Sequence, residues 1–158
     1  MSTLSAALAS LLLVACASGG ADPASGADPD PDPSLTPREV VRLQVEALQA
    51  NGEDDAGIAT AFRFASPANR AATGPLARFT GMVRSGYADM LGFERAEFGR
   101  MVFEGNEAAQ RVTLVQADGR RSAYVFALSK QAGGPYDGCW MTDAVVPVEP
   151  EDDGLIRT

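Results

Sequence analysis

Between residues 36 and 92, apolar positions return every three to four residues. Beyond residue 92 they tend to alternate. Thr36-Pro37-Arg38-Glu39 has the form of a capping box, with Pro at the first helical position and Glu three residues after the cap. Val41, Val45 and Leu48 then form a stripe flanked by Val40, Leu43 and Ala47, and Asn51-Gly52 closes the helix. A second helix starts at Asp54/Asp55 and carries Ile58, Phe62 and Ala65. Ser66-Pro67 stops it and offers a new start for a turn through Asn69–Ala72. After Thr73-Gly74-Pro75 a third helix carries Leu76, Phe79, Val83, Tyr87 and Met90, with Met82 beside the stripe, and ends at Gly92.

The second half predicts strands. Phe93–Glu104 and Ala109–Ala117 are the first two, and Asp118-Gly119 is a hairpin signal. Ser122–Lys130 follows, with Tyr124, Phe126 and Leu128 on one face. After the glycine-rich turn Gly133–Gly138 comes Cys139–Val148, with Trp140, Thr142, Ala144, Val146 and Val148 expected on one side. Three helices followed by three to four or more antiparallel strands predict an α+β domain with its helices on one face of the sheet.

The flanks differ from the domain. Ala6–Val14 is an apolar run shorter than the roughly 20 residues that span a bilayer, and it has the length of a signal-peptide core. Residues 17–35 are small, acidic and proline-rich, a composition that cannot bury a core and favours extended chain. The expected organisation is a leader over 1–15, an anchor and disordered tether over 16–35, one domain over 36–149 and a disordered acidic tail over 150–158.

Charge follows this division. Of the net −8, the first 35 residues supply four aspartates and no cation, while residues 36–149 carry twelve basic and fourteen acidic side chains. A near-neutral domain between acidic flanks has no footprint for nucleic acid or for anionic lipid. The chain contains no histidine. That excludes Ser-His-Asp and Cys-His catalysis and every His-containing metal site. No cofactor and no metal are expected. Acid–base chemistry, if present, falls to Asp, Glu, Tyr or Lys. Tyr87, Asp89, Tyr124 and Asp143 are the candidate set, set against the plainer reading of capping or solvated carboxylates and tyrosines at the edge of the core. Phe62, Phe79, Phe126 and Trp140 are core residues, or the lining of an apolar pocket. Ser66 reads as a helix cap rather than a nucleophile, and Cys139 as a buried free thiol.

Leu13-Val14-Ala15-Cys16 resembles the lipobox of bacterial lipoproteins. The resemblance implies lipidation of Cys16 and a domain tethered in the cell envelope, with the outer membrane favoured because Ala17 follows the cysteine. Ala15-Cys16-Ala17 also fits an ordinary signal-cleavage rule, which would give a soluble periplasmic product.

Within the domain, Ala61-Phe62-x-Phe64-Ala65-Ser66-Pro67, Gly74-Pro75, Phe79-x-x-Met82-Val83, Tyr87 and Gly138-Cys139-Trp140 resemble an uncharacterised bacterial family known only as a domain of unknown function. The resemblance covers Leu35–Val148. The element order is also similar to the cone-shaped nuclear transport factor 2-like superfamily, which includes isomerases, dehydratases and non-enzymatic binding modules. Two functions follow as expectations. One is a membrane-tethered, non-catalytic module holding a small apolar ligand or an envelope protein. The other is a histidine-free acid–base enzyme. The cone resemblance also implies pairing of two copies through their sheets.

Overall fold

The computed structural model describes residues 28–151. The expectations for the leader 1–15, for lipidation of Cys16 and for the tail beyond Glu151 lie outside the described residues. The chain runs α1 (Pro37–Gln49), α2 (Ala56–Arg63), α3 (Pro67–Thr73), α4 (Leu76–Gly86), β1 (Arg95–Glu104), β2 (Glu107–Val115), β3 (Arg121–Lys130) and β4 (Trp140–Val148). The class is α+β, as the periodicity predicts. Among the described residues no helix is long and apolar enough to cross a membrane.

The α1 cap forms as expected. Thr36 Oγ1 accepts from the Glu39 amide and Glu39 accepts from the Thr36 amide. Val40, Val41, Val45 and Leu48 are buried on its inner stripe, with Gln44 among them. The second start lies at Asp54/Asp55 as expected, with Asp54 Oδ1 accepting from the Ala56 amide. Asp55 sits in the left-handed region (φ 58°), and its carboxylate turns to Arg84 and Asn51 instead of capping. Asn51 Oδ1 accepts from the Ile58 amide as well. The turn beginning at Ser66-Pro67 is a helix of its own, with Ser66 Oγ accepting from the Asn69 amide. Among the described residues the α-helices therefore number four rather than three. The last of them stops at Gly86, before a 3-10 turn over Ala88–Met90.

The strands form one antiparallel meander in the order β1-β2-β3-β4. Phe98, Met101, Val112, Leu114, Tyr124, Phe126 and Leu128 face the helices and form the core with α1 and α2. Two bulges interrupt the ladders. Gly99 and Arg100 together oppose Arg111, and Asp143 is extra between Thr142 and Ala144. The second bulge corrects the sequence reading of β4. Thr142 and Val145 turn inward while Val146 is 49% exposed, so strict alternation along the strand is lost. Beside the bulge, the Thr142 amide donates to the Phe64 carbonyl and the Ser66 amide donates to the Thr142 carbonyl, tying the α2–α3 link to the sheet.

The described end of the acidic tether lies against the domain. Arg63 bridges Asp28 and Asp30 and donates to the Pro29 carbonyl, and Leu35 packs on the core. Contact with the domain therefore begins well before Thr36.

Five carboxylates, Asp32, Glu39, Asp55, Glu97 and Asp118, are held below their ordinary ranges, each first by a side-chain hydrogen bond. A depressed folded-state value stabilises above the unfolded value, and that stabilisation is lost as pH falls through the folded one. With no histidine to titrate, the melting temperature should stay flat from pH 8 to about 5 and fall below about pH 4.5. A rise in melting temperature on acidification would mean that relief of the net −8 repulsion outweighs these bonds.

Candidate functional site

Four helices on one sheet leave a hollow where α3 and α4 diverge from β4. It is a cavity of about 410 Å³, within the range of small-molecule sites. α1 contributes Gln44 and Leu48, and the α2–α3 link contributes Ala65 and Ser66. α4 contributes Phe79, Met82, Val83 and, at its end, Tyr87. Phe126 of β3 and Thr142, Asp143 and Val145 of β4 complete the wall. The surface is mostly apolar, because Leu48, Phe79, Met82, Val83 and Phe126 face it along with Ala68 and Ala72 of α3, which also brings Asn69 and Thr73.

The polar groups of the wall are bonded to one another. Thr142 Oγ1 donates to Gln44 Oε1 at 2.6 Å, and Gln44 Nε2 donates to the Ala61 carbonyl at 3.0 Å. Gln44 is 3% exposed and Thr142 1%. Asn69 Nδ2 donates to the Thr142 carbonyl, Thr73 Oγ1 to the Asn69 carbonyl, and Tyr87 Oη to the Val145 carbonyl. Buried polar groups need such partners, and these are satisfied without a ligand. Asp143, exposed on its bulge, borders the cavity and also a second hollow that it shares with Val102, Glu104 and Ala127.

The four candidate acid–base residues do not assemble in one place. Tyr87 and Asp143 line the cavity. Tyr124 lies behind, with its ring centroid 6.0 Å from that of Tyr87. Burial, aided by the charges of Asp89 and Tyr87, pushes the Tyr124 phenol up. Asp89 stands outside the cavity, accepting from Ser122 Oγ at 2.6 Å and pairing with Arg120. Among the described residues every displaced carboxylate pKa is displaced downwards, opposite to what a desolvated general base needs.

Of the four aromatics, Phe79 and Phe126 line the cavity. Phe62 backs Phe79 at 5.0 Å, and Trp140 packs edge-on against Phe103 at 6.3 Å. Cys139 is buried, and burial pushes its thiol up, away from the reactive thiolate. No group of three or more metal-ligating side chains comes together among the described residues. Gln44 is the site residue that periodicity misses. Its one signal is a polar side chain in the middle of the α1 apolar stripe.

Residues 32–154 match the family described as Domain of unknown function (DUF4864). The chain belongs to the DUF4864 family. No curated protein matches it, and no solved structure matches it. The DUF4864 region starts at Asp32 and so includes Leu35, which packs on the core ahead of the α1 cap. It contains every residue of the cavity wall and excludes Cys16, Asp28 and Asp30.

Proposed function

We propose that this DUF4864 domain is a non-catalytic holder of a small apolar molecule, bound in the cavity between α3, α4 and β4. The observation that carries the proposal is the pairing of an apolar hollow of about 410 Å³ with a wall whose amides and hydroxyls already bond to one another. Such a wall gains from burying apolar surface and has few polar groups left to steer a reaction. Acid–base catalysis would have to rest on Tyr87 and Asp143 alone, and the Tyr87 hydroxyl is spent on the Val145 carbonyl. Helices on one face of a sheet, with a hollow beneath them, are the arrangement that the cone-shaped superfamily uses, which supports kinship with it. In this proposal Cys16 carries the lipid, and the domain works at the bacterial envelope. The lipobox resemblance of Leu13-Val14-Ala15-Cys16 and the acidic, proline-rich stretch after it support that placement.

The test uses the full chain with Cys16→Ser, which removes the acylation site, and the uncharged fluorescent probe N-phenylnaphthylamine. Saturable binding is expected, and Ala68→Trp, which fills the cavity from α3, should abolish it. Absence of saturable binding, or binding indifferent to Ala68→Trp, would sink the proposal.

A further inference from the structure

We infer that the sheet carries a second site, on the face turned away from the helices. It docks a segment of another protein in which an apolar side chain is flanked by lysines or arginines. The site is separate from the cavity between α3, α4 and β4.

Val102, Ala109 and Ala127 are cross-strand neighbours in one row over β1, β2 and β3. Met101, Ala108 and Leu128, next to them in the chain, point into the core, so the row points outward. Two of its three side chains are only methyl groups, and a hollow of about 290 Å³ lies there. Val102 and Phe103 at its edge are 55% and 58% exposed, the highest values of any large apolar side chain among the described residues. Exposed apolar groups around a hollow mark a contact site. Charge selects the occupant. Glu104 and Glu107 oppose each other across the β1–β2 turn, and Asp143 borders the hollow from the β4 bulge. Like charges placed opposite each other weaken a hairpin. None of the three carboxylates has an ion pair or a side-chain hydrogen bond among the described residues. The bases nearby do not fill the gap. Arg111, on the same face, is bonded to the Glu149 carbonyl and faces Glu151, and Arg121 pairs with Glu97. Lys130 alternates to the other face, opposite Trp140, and Arg100 in the β1 bulge is outside the lining. An incoming apolar side chain would bury Val102 and the two alanines, and the cations beside it would meet the carboxylate rim. The same rim repels anionic lipid and nucleic acid.

The full-length Cys16→Ser chain would be titrated into the fluorescein-labelled hexapeptide Lys-Lys-Ile-Phe-Lys-Lys and followed by fluorescence anisotropy. Glu-Glu-Ile-Phe-Glu-Glu and Lys-Lys-Ser-Ser-Lys-Lys are the comparison peptides. Saturable binding is expected for the first alone. Glu104→Gln with Glu107→Gln should raise its dissociation constant about fivefold, and Val102→Thr about threefold. The same double variant should melt no lower than wild type, because it relieves repulsion at the hairpin. That separates a binding role from a structural one. Glu53→Gln with Glu94→Gln removes equal charge at exposed positions elsewhere and should leave binding within about twofold. Equal binding of either comparison peptide, or an affinity that the change at Glu104 and Glu107 leaves untouched, would overturn the inference. So would binding that Ala68→Trp abolishes, which puts the peptide in the other cavity. Sedimentation of the chain alone tests the remaining occupant. A mass unchanged by Val102→Thr is expected, and a dimer that this variant dissociates would give the face to a second copy and overturn the inference.

Discussion

Gly57→Ala is expected to cost about 3 kcal/mol of folding stability, a large effect for one methyl group. Gly57 sits in the first turn of α2, and a Cβ there would stand 2.0 Å from the Ala47 carbonyl oxygen and 2.8 Å from its carbon. Both are backbone atoms of α1, and neither can swing aside as the end of a side chain can. The only relief is to push α2 away from α1, which also stretches the Gln44–Ala61 bond linking the two helices. Alanine favours a helix interior over glycine by about 1 kcal/mol, so the contact must outweigh that gain. Domains of this size hold about 5–15 kcal/mol in total. A urea melt of the variant should show its midpoint well below wild type. A loss under about 1 kcal/mol would mean that the helices separate more easily than their packing implies.

Gln44→Leu is expected to cost about 2–4 kcal/mol, since it strands two buried partners at once. The Thr142 hydroxyl loses its acceptor and the Ala61 carbonyl loses its donor, both on residues that are almost wholly buried. Leucine is favoured on a buried stripe, yet here its extra apolar burial does not offset two unmade bonds. The double variant Gln44→Leu with Thr142→Val removes one stranded group and should recover about 1–2 kcal/mol. Chemical denaturation of the two singles and the double gives the coupling directly. Strict additivity would show that Gln44 and Thr142 do not act as a pair.

The parts of the fold that sequence makes legible are those set by local chemistry. The Thr36–Glu39 box, the Ser66 cap and the Asp118-Gly119 hairpin depend on residues within a few positions of one another, and each is where its pattern places it. What is not legible has long-range causes. The start at Asp54/Asp55 is where its pattern places it, but nothing local shows that the Asp55 carboxylate turns to Arg84, 29 residues later. Alternation along β4 fails because one residue is extra, and the Thr142 backbone bonds to Phe64 and Ser66, far back in the chain. The candidate site was legible in part. Tyr87, Phe79, Phe126 and Asp143 reach the cavity, while Asp89 and Tyr124 share a neighbourhood near it without entering. Spacing reports which face of an element a residue lies on, but not which end of the sheet the helices leave uncovered.

The bulges have a consequence for how molecules of this kind meet one another. An open four-stranded sheet has two outer strands whose unpaired amides and carbonyls are a template for strands of other chains. β4 is guarded at Thr142, whose amide and carbonyl are both occupied by the α2–α3 link, and again at Pro147, which has no amide to offer. β1 is broken at Gly99-Arg100 and carries Arg95, Glu97, Arg100 and Glu104 along its length. Neither border leaves a long, flat, apolar run, which disfavours strand-to-strand polymerisation at both rims. The outward face of the sheet, by contrast, leaves the side chains of Val102 and Val146 exposed.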